Sequence, residues 1–186
     1  MRFVAHPRHF LILALAINLG LAACSSSSSK LPPLTLVPKL DLETFMGDWW
    51  VLGNMPTPTE KNCHNALEKY ALNPDQTVAV TFSCNKKSFD GKREVNHFTG
   101  LVQNPGTNTE WKIKMKLWGF IPLKLPFLVI DLATDGSYTV IGYPSREYVW
   151  IMARAKSLPE QTWTEILARL KTQGYDTSKI ERVPTR

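Results

Sequence analysis

The clearest pattern in the chain is the run Trp111-Lys112-Ile113-Lys114-Met115-Lys116-Leu117, in which apolar and basic residues alternate without a break. A period of two puts Trp111, Ile113, Met115 and Leu117 on one face of a β-strand and the lysines on the other. Shorter runs of the same kind predict strands at 47–54, 65–72, 77–84, 95–102, 125–132, 137–143 and 148–154, which makes eight in all. Asn73-Pro74-Asp75-Gln76, Asn104-Pro105-Gly106-Thr107-Asn108 and Thr134-Asp135-Gly136 are turn-forming clusters of the kind that join neighbouring antiparallel strands. The other connections, 55–62, 85–94 and 118–124, are longer. Tight turns and long loops therefore alternate along an up-and-down meander, with the long loops gathered at one open end and the other end pinched. Such a meander suits an all-β fold, an eight-stranded antiparallel up-and-down β-barrel able to hold one small ligand. A two-sheet sandwich competes, but its Greek-key crossovers do not call for so regular an alternation.

One segment breaks the period. Trp163, Ile166, Leu167 and Leu170 recur at helical spacing, and Gly174 supplies a stop. Ser157-Leu158-Pro159-Glu160 ahead of them reads as a capping box, with Ser157 as the N-cap. These residues predict one C-terminal α-helix packed on the barrel wall. A short final strand at 179–183 is placed to pair with the first.

The N-terminus adds a location. Arg2 and Arg8 precede the apolar stretch of residues 10–17, the order of a secretory signal, and the stretch is too short for a comfortable transmembrane span. It ends in Leu21-Ala22-Ala23-Cys24, which resembles a bacterial lipobox: cleavage before Cys24 and a diacylglycerol on its thiol, with palmitate on the new amino terminus. The alternative is an ordinary signal that leaves Cys24 as a stray thiol. Ser25 to Ser29, Lys30 and Pro32-Pro33 form a polar, flexible stretch of the kind that separates an anchor from a domain. The chain thus divides into a signal at 1–23, a lipidated tether at 24–38 and a domain at 39–186. By resemblance to sorted bacterial lipoproteins, Ser25 rather than Asp after the cysteine favours the outer membrane, on its periplasmic side, with the inner membrane as the alternative.

Loss of residues 1–23 removes two basic residues and no acid, so the net charge falls from +6 to +4. Basic residues are interleaved with acids along the chain, with no aromatic-basic block, so nucleic-acid binding has no support. With Cys24 taken by lipid, Cys63 and Cys84 remain as an even pair in an oxidising compartment. Folding the hairpin about residues 73–76 brings them near each other, so a disulfide is expected, with two buried free thiols as the alternative.

At this point the chain resembles the lipocalins, and specifically the bacterial outer-membrane lipocalins. Gly47-Asp48-Trp49 matches the G-x-W of the first strand. Thr134-Asp135-Gly136-Ser137-Tyr138 resembles the T-D-Y segment before the seventh, with two extra residues between Asp135 and Tyr138. Arg154 matches the lone arginine that ends the eighth. The resemblance implies that Trp49 plugs the closed end while Arg154 lays its guanidinium across the indole, a pair worth about 2 kcal/mol when desolvated. These are markers of fold and name no ligand.

Alternation from Arg154 turns Met152, Trp150 and Tyr148 toward the barrel axis, and alternation from Trp49 turns Val51 the same way. With Trp111, Ile113, Met115 and Leu117 they form a candidate pocket for a fatty acid or lysophospholipid, its polar head near the open mouth. The connection Trp118-Gly119-Phe120-Ile121-Pro122-Leu123 is apolar for a loop and is flanked by Lys116 and Lys124. Trp118, Phe120, Ile121 and Leu123 are therefore expected to meet a bilayer surface or to fold over the mouth as a lid. No catalytic, cofactor or metal set is recognised: His64 and His97 sit in no nucleophile or metal motif. The expected function is that of a non-catalytic carrier of an apolar ligand in the bacterial envelope, acting as a monomer or homodimer. The alternatives are an enzyme on the same fold acting on a bound lipid or isoprenoid, or a haem or retinoid binder with His97 as an axial ligand.

Overall fold

The computed structural model describes residues 31–117 and 119–186, and of Leu117 the backbone alone. The signal, Cys24 and the first part of the tether, together with Trp118, lie outside the described residues.

A short helix α1 (Leu42–Phe45) leads into β1 (Gly47–Asn54), β2 (Cys63–Leu72), β3 (Val78–Lys86), β4 (Arg93–Val102), β5 (Glu110–Leu117), β6 (Ile121–Leu132), β7 (Tyr138–Gly142) and β8 (Val149–Ala153). Each strand pairs antiparallel with the next, and β1 pairs with both β2 and β8, so the eight-stranded barrel closes on itself. Helix α2 (Glu160–Thr172) follows, and a two-residue β9 (Glu181–Arg182) pairs with the top of β1 at Gly53 and Asn54.

Two apolar layers hold this together. Inside the barrel lie Trp49, Val51, Tyr70, Val80, Phe82, Trp111, Phe127 and Met152 among others. Outside, one face of α2 places Trp163, Ile166 and Leu170 on Leu52, Ile130, Val140 and Ile151 of the wall. Close approach demands glycine at position 53, where a Cβ would stand 2.3 Å from the Trp163 ring. At Gly47 the demand is conformational, a φ of +92° as the chain turns from α1 into β1.

The structure corrects four expectations. Ser157 does not cap α2: the N-cap position is Pro159, with no side-chain bond, and Glu160 instead meets Arg182 of β9. Strand β6 begins at Ile121, four residues earlier than the pattern indicates, because Pro122 and Pro126 fall where β7 does not yet pair with it. The supposed long loop 118–124 therefore shrinks to the short connection between β5 and Ile121.

The fourth correction concerns the tether. From Pro32 to Leu40 the chain is bound along the wall rather than free. The Arg146 Nη2 donates to Pro32 O at 2.6 Å, Thr35 N donates to Gln173 Oε1 at 2.9 Å, Val37 N to Val129 O at 3.0 Å and Leu40 N to Thr107 O at 2.7 Å. Arg146 lies in the β7–β8 connection and Thr107 in the β4–β5 turn, at opposite ends of the barrel. The strap thus starts at the open end and finishes at the closed one.

Candidate functional site

The closed end is solid. Phe45 and Trp49 rings approach to 5.1 Å between centroids, Tyr70 stands edge-on to Trp111 at 5.8 Å, and Trp111 stacks on Phe127 at 4.7 Å. The two indoles are answered locally, Trp49 Nε1 donating to Phe45 O at 2.8 Å and Trp111 Nε1 to Asn108 O at 2.7 Å. The Arg154 guanidinium lies 3.7 Å over the Trp49 ring and donates to the carbonyls of Thr44, Phe45 and Asp48. Burial pushes its pKa down without removing its charge.

Residues of the candidate pocket separate by depth. Val51, Trp111 and Met152 are fully buried and belong to this floor, so they fill space rather than line it. Ile113, Met115, Tyr148 and Trp150 are only half-buried and surround the lumen above the floor. Tyr148 stacks on Trp150 with ring centroids 6.2 Å apart. Leu117 continues β5 in the same register.

Two carboxyl groups that the sequence reading passed over enter the same space. Glu68 of β2 pairs across the sheet with Trp49 of β1 and Phe82 of β3, both inward, so its side chain shares their face. Among the described residues its carboxyl has no hydrogen-bond partner, and Oε2 is shielded from solvent. Burial first, and the neighbouring Glu60 second, push its pKa up to about 8. Glu60 reaches in from the β1–β2 loop and is well satisfied: it accepts from Thr57 N at 3.0 Å, Thr57 Oγ1 at 2.7 Å and Trp150 Nε1 at 2.6 Å. Lys86 Nζ fixes that loop further by donating to the carbonyls of Thr59 and Lys61.

Around the mouth, Cys63 and Cys84 form a disulfide, Cα atoms 5.5 Å apart, that ties the top of β2 to β3. On the far side the barrel wall comes apart. The β4–β5 ladder stops at Thr99↔Lys114, and β6 pairs with β7 only from Leu128. Residues 115–117 and 121–127 therefore form a tongue with no ladder to either neighbouring strand among the described residues. Its tip is apolar and open, with Phe120 71% and Ile121 39% exposed, and Lys114, Lys116 and Lys124 are exposed around it. Leu123 faces Met115 across the tongue. Phe120 is no lid in this conformation; the element that leans inward is the β1–β2 loop, through Glu60.

His97 cannot serve as an axial ligand from where it stands. Phe98 is inward, so His97 points out from the wall, where Nδ1 lies 3.1 Å from Thr81 Oγ1. Among the described residues no group of three His, Cys, Asp or Glu side chains is arranged for a metal. Two surface clefts of about 470 and 300 Å³ lie outside the lumen, one between the β6–β7 turn and the start of α2, the other beside α1.

A model of the lipocalin-like domain matches residues 40–185. The chain is 29% identical to temperature-induced lipocalin-1 of Arabidopsis thaliana over 157 residues, which covers 81% of this chain and 82% of the relative. It is 24% identical to the outer membrane lipoprotein Blc of Escherichia coli over 173 residues, 91% of this chain and 93% of that one. Among solved structures, insecticyanin of the tobacco hornworm Manduca sexta matches with a TM-score of 0.64 at 22% identity, over 82% of this chain and 84% of that chain.

Proposed function

The chain belongs to the lipocalin family, whose members bind small hydrophobic molecules, and on that premise we propose that it is a membrane-anchored carrier of a single-chain lipid, a fatty acid or lysophospholipid, in the bacterial envelope. The observation that carries the reading is the contrast within the lumen: a ring-packed floor below, and above it half-buried Ile113, Met115, Tyr148 and Trp150 at an end that opens between strands. That upper half suits an acyl chain. Native mass spectrometry of the unlipidated domain, purified from its own envelope, is expected to show one such lipid per barrel. A barrel that arrives empty and whose tryptophan fluorescence no single-chain lipid quenches would falsify the carrier reading.

Lipid on Cys24 would set the mouth toward the bilayer. The bound strap begins at Pro32 beside Arg146, at the open end, and only residues 25–31 would separate it from the anchor. At a maximum of about 3.6 Å per residue that stretch spans roughly 25 Å. The tongue stands at the same end, and an apolar tip with basic shoulders fits an anionic membrane surface. Replacing Phe120 and Ile121 by serine should strongly reduce binding of the unlipidated domain to vesicles containing phosphatidylglycerol. Unchanged binding would remove the tongue from the mechanism. The relationship to Blc, by name an outer membrane lipoprotein, supports the same location.

A further inference from the structure

We propose that the lumen receives its ligand by a protonated amine, held at Glu68 beneath the contact between Glu60 and Trp150. The proposal rests on the carrier reading and narrows it: of the single-chain lipids named there it selects one with an amine head and disfavours the free fatty acid. Glu68 is a half-buried carboxyl on the inward face of the barrel, with no hydrogen-bond partner among the described residues and with its Oε2 shut off from solvent. A buried polar group left unpaired costs about 1–3 kcal/mol, so a protein gains by losing it unless something arrives to pair with it.

What arrives is chosen by charge. Glu60 already takes three donors, and it stands close enough to push Glu68 toward its neutral form. The groups facing Glu68 across the sheet are the Trp49 and Phe82 rings. Tyr70, two residues along on the same face, is the other titratable neighbour, its phenol pushed well above its ordinary pKa by burial and then by Glu68. None of the salt bridges among the described residues involves Glu60 or Glu68. The upper lumen is therefore a site of negative potential with apolar walls. A fatty-acid carboxylate would meet repulsion there, whereas an ammonium would supply the missing positive charge and donate to both oxygens of Glu68. On binding, Glu68 gives up its proton to solvent and the ammonium keeps its own, so charge and protons balance.

The experiment measures tryptophan quenching and calorimetric binding of dodecylamine, dodecanol and laurate, three heads on one chain length, to the unlipidated domain and to Glu68→Gln. In the wild type dodecylamine should bind about tenfold more tightly than dodecanol, the scale of a hydrogen bond to a charged group, and laurate more weakly than either. Glu68→Gln should bring the amine-to-alcohol ratio within about threefold. Should that variant fail to fold, Glu60→Gln removes the other negative charge and should also reduce the ratio. Calorimetry in buffers of different ionisation enthalpy should record a proton released with the amine and none with the alcohol. A second arm compares lysophospholipids with ethanolamine and glycerol heads, and preference there identifies a phospholipid-borne amine rather than a simple alkylamine. Equal binding of amine and alcohol by the wild type, or a preference that survives in Glu68→Gln, overturns the proposal while leaving the carrier reading in place. If none of these chains binds, the carrier reading falls and the head-group selection with it.

Discussion

The two ends of the barrel are built on opposite principles. At the closed end the polar groups that matter are paired: the indoles of Trp49 and Trp111 find carbonyls four and three residues away, and Arg154 finds three carbonyls and a ring. Directly above that floor the carboxyl of Glu68 is left without a partner among the described residues, and at the open end ladders stop early and a phenylalanine points at solvent. Satisfied groups make the first region a structural plug, and unsatisfied ones mark the second as the place where something else must bind.

The sharpest way to break that contrast is to remove the unpaired carboxyl above the floor. Glu68 has a folded pKa of about 8 against an ordinary value of 4.5, so it stays neutral when folded and the unfolded chain ionises first. The stability it contributes is complete below about pH 4.5 and is lost as pH rises through about 8. That interval is worth on the order of 5 kcal/mol. Urea unfolding of Glu68→Gln should therefore match the wild type near pH 4 and exceed it by several kcal/mol near pH 9. A constant difference across that range would mean that Glu68 is solvated.

Breaking the closed end should do the reverse. Trp49→Ala opens a cavity under Arg154 and should cost about 3–5 kcal/mol at every pH, read from the same unfolding curves. A loss below about 1 kcal/mol would show that the floor can collapse around the gap. Next in size is the bridge at the mouth: serine at both Cys63 and Cys84 releases a cross-link over a separation of 21 residues and should cost about 3 kcal/mol. Smallest is the tongue tip, where Phe120→Ser with Ile121→Ser should leave stability within about 0.5 kcal/mol, since Phe120 is open to solvent and Ile121 partly so.

What could be read from sequence follows the same division. The inward face of the barrel was legible because its residues obey strict alternation: Trp111 and Ile113 of β5, Met152 and Trp150 of β8, and Trp49 with Val51 of β1 all sit where the period of two places them. Glu68 was not, because residues 66–72 place apolar side chains at 66, 67, 70, 71 and 72 and so give no single parity. Only the register of the β2–β3 hairpin, setting Glu68 against inward Phe82, reveals which way it points. Glu60 was hidden differently, as a loop residue whose inward turn depends on Trp150, ninety residues away in the chain. Residues 121–124 of the tongue were taken for loop because Pro122 interrupts a stretch of strand that forms through bonds to β5 alone.

The prolines of β6 bear on self-association. A hairpin with two unpaired margins offers its backbone to any strand that passes, including the same hairpin of another molecule. Pro122 and Pro126 have no N–H to offer on that margin of β6, and the lysines opposite them at 116 and 112 add charge across the tongue. The same residues that conceal the strand from a reader of the sequence keep a crowded population of these barrels from stitching edge to edge into a continuous sheet.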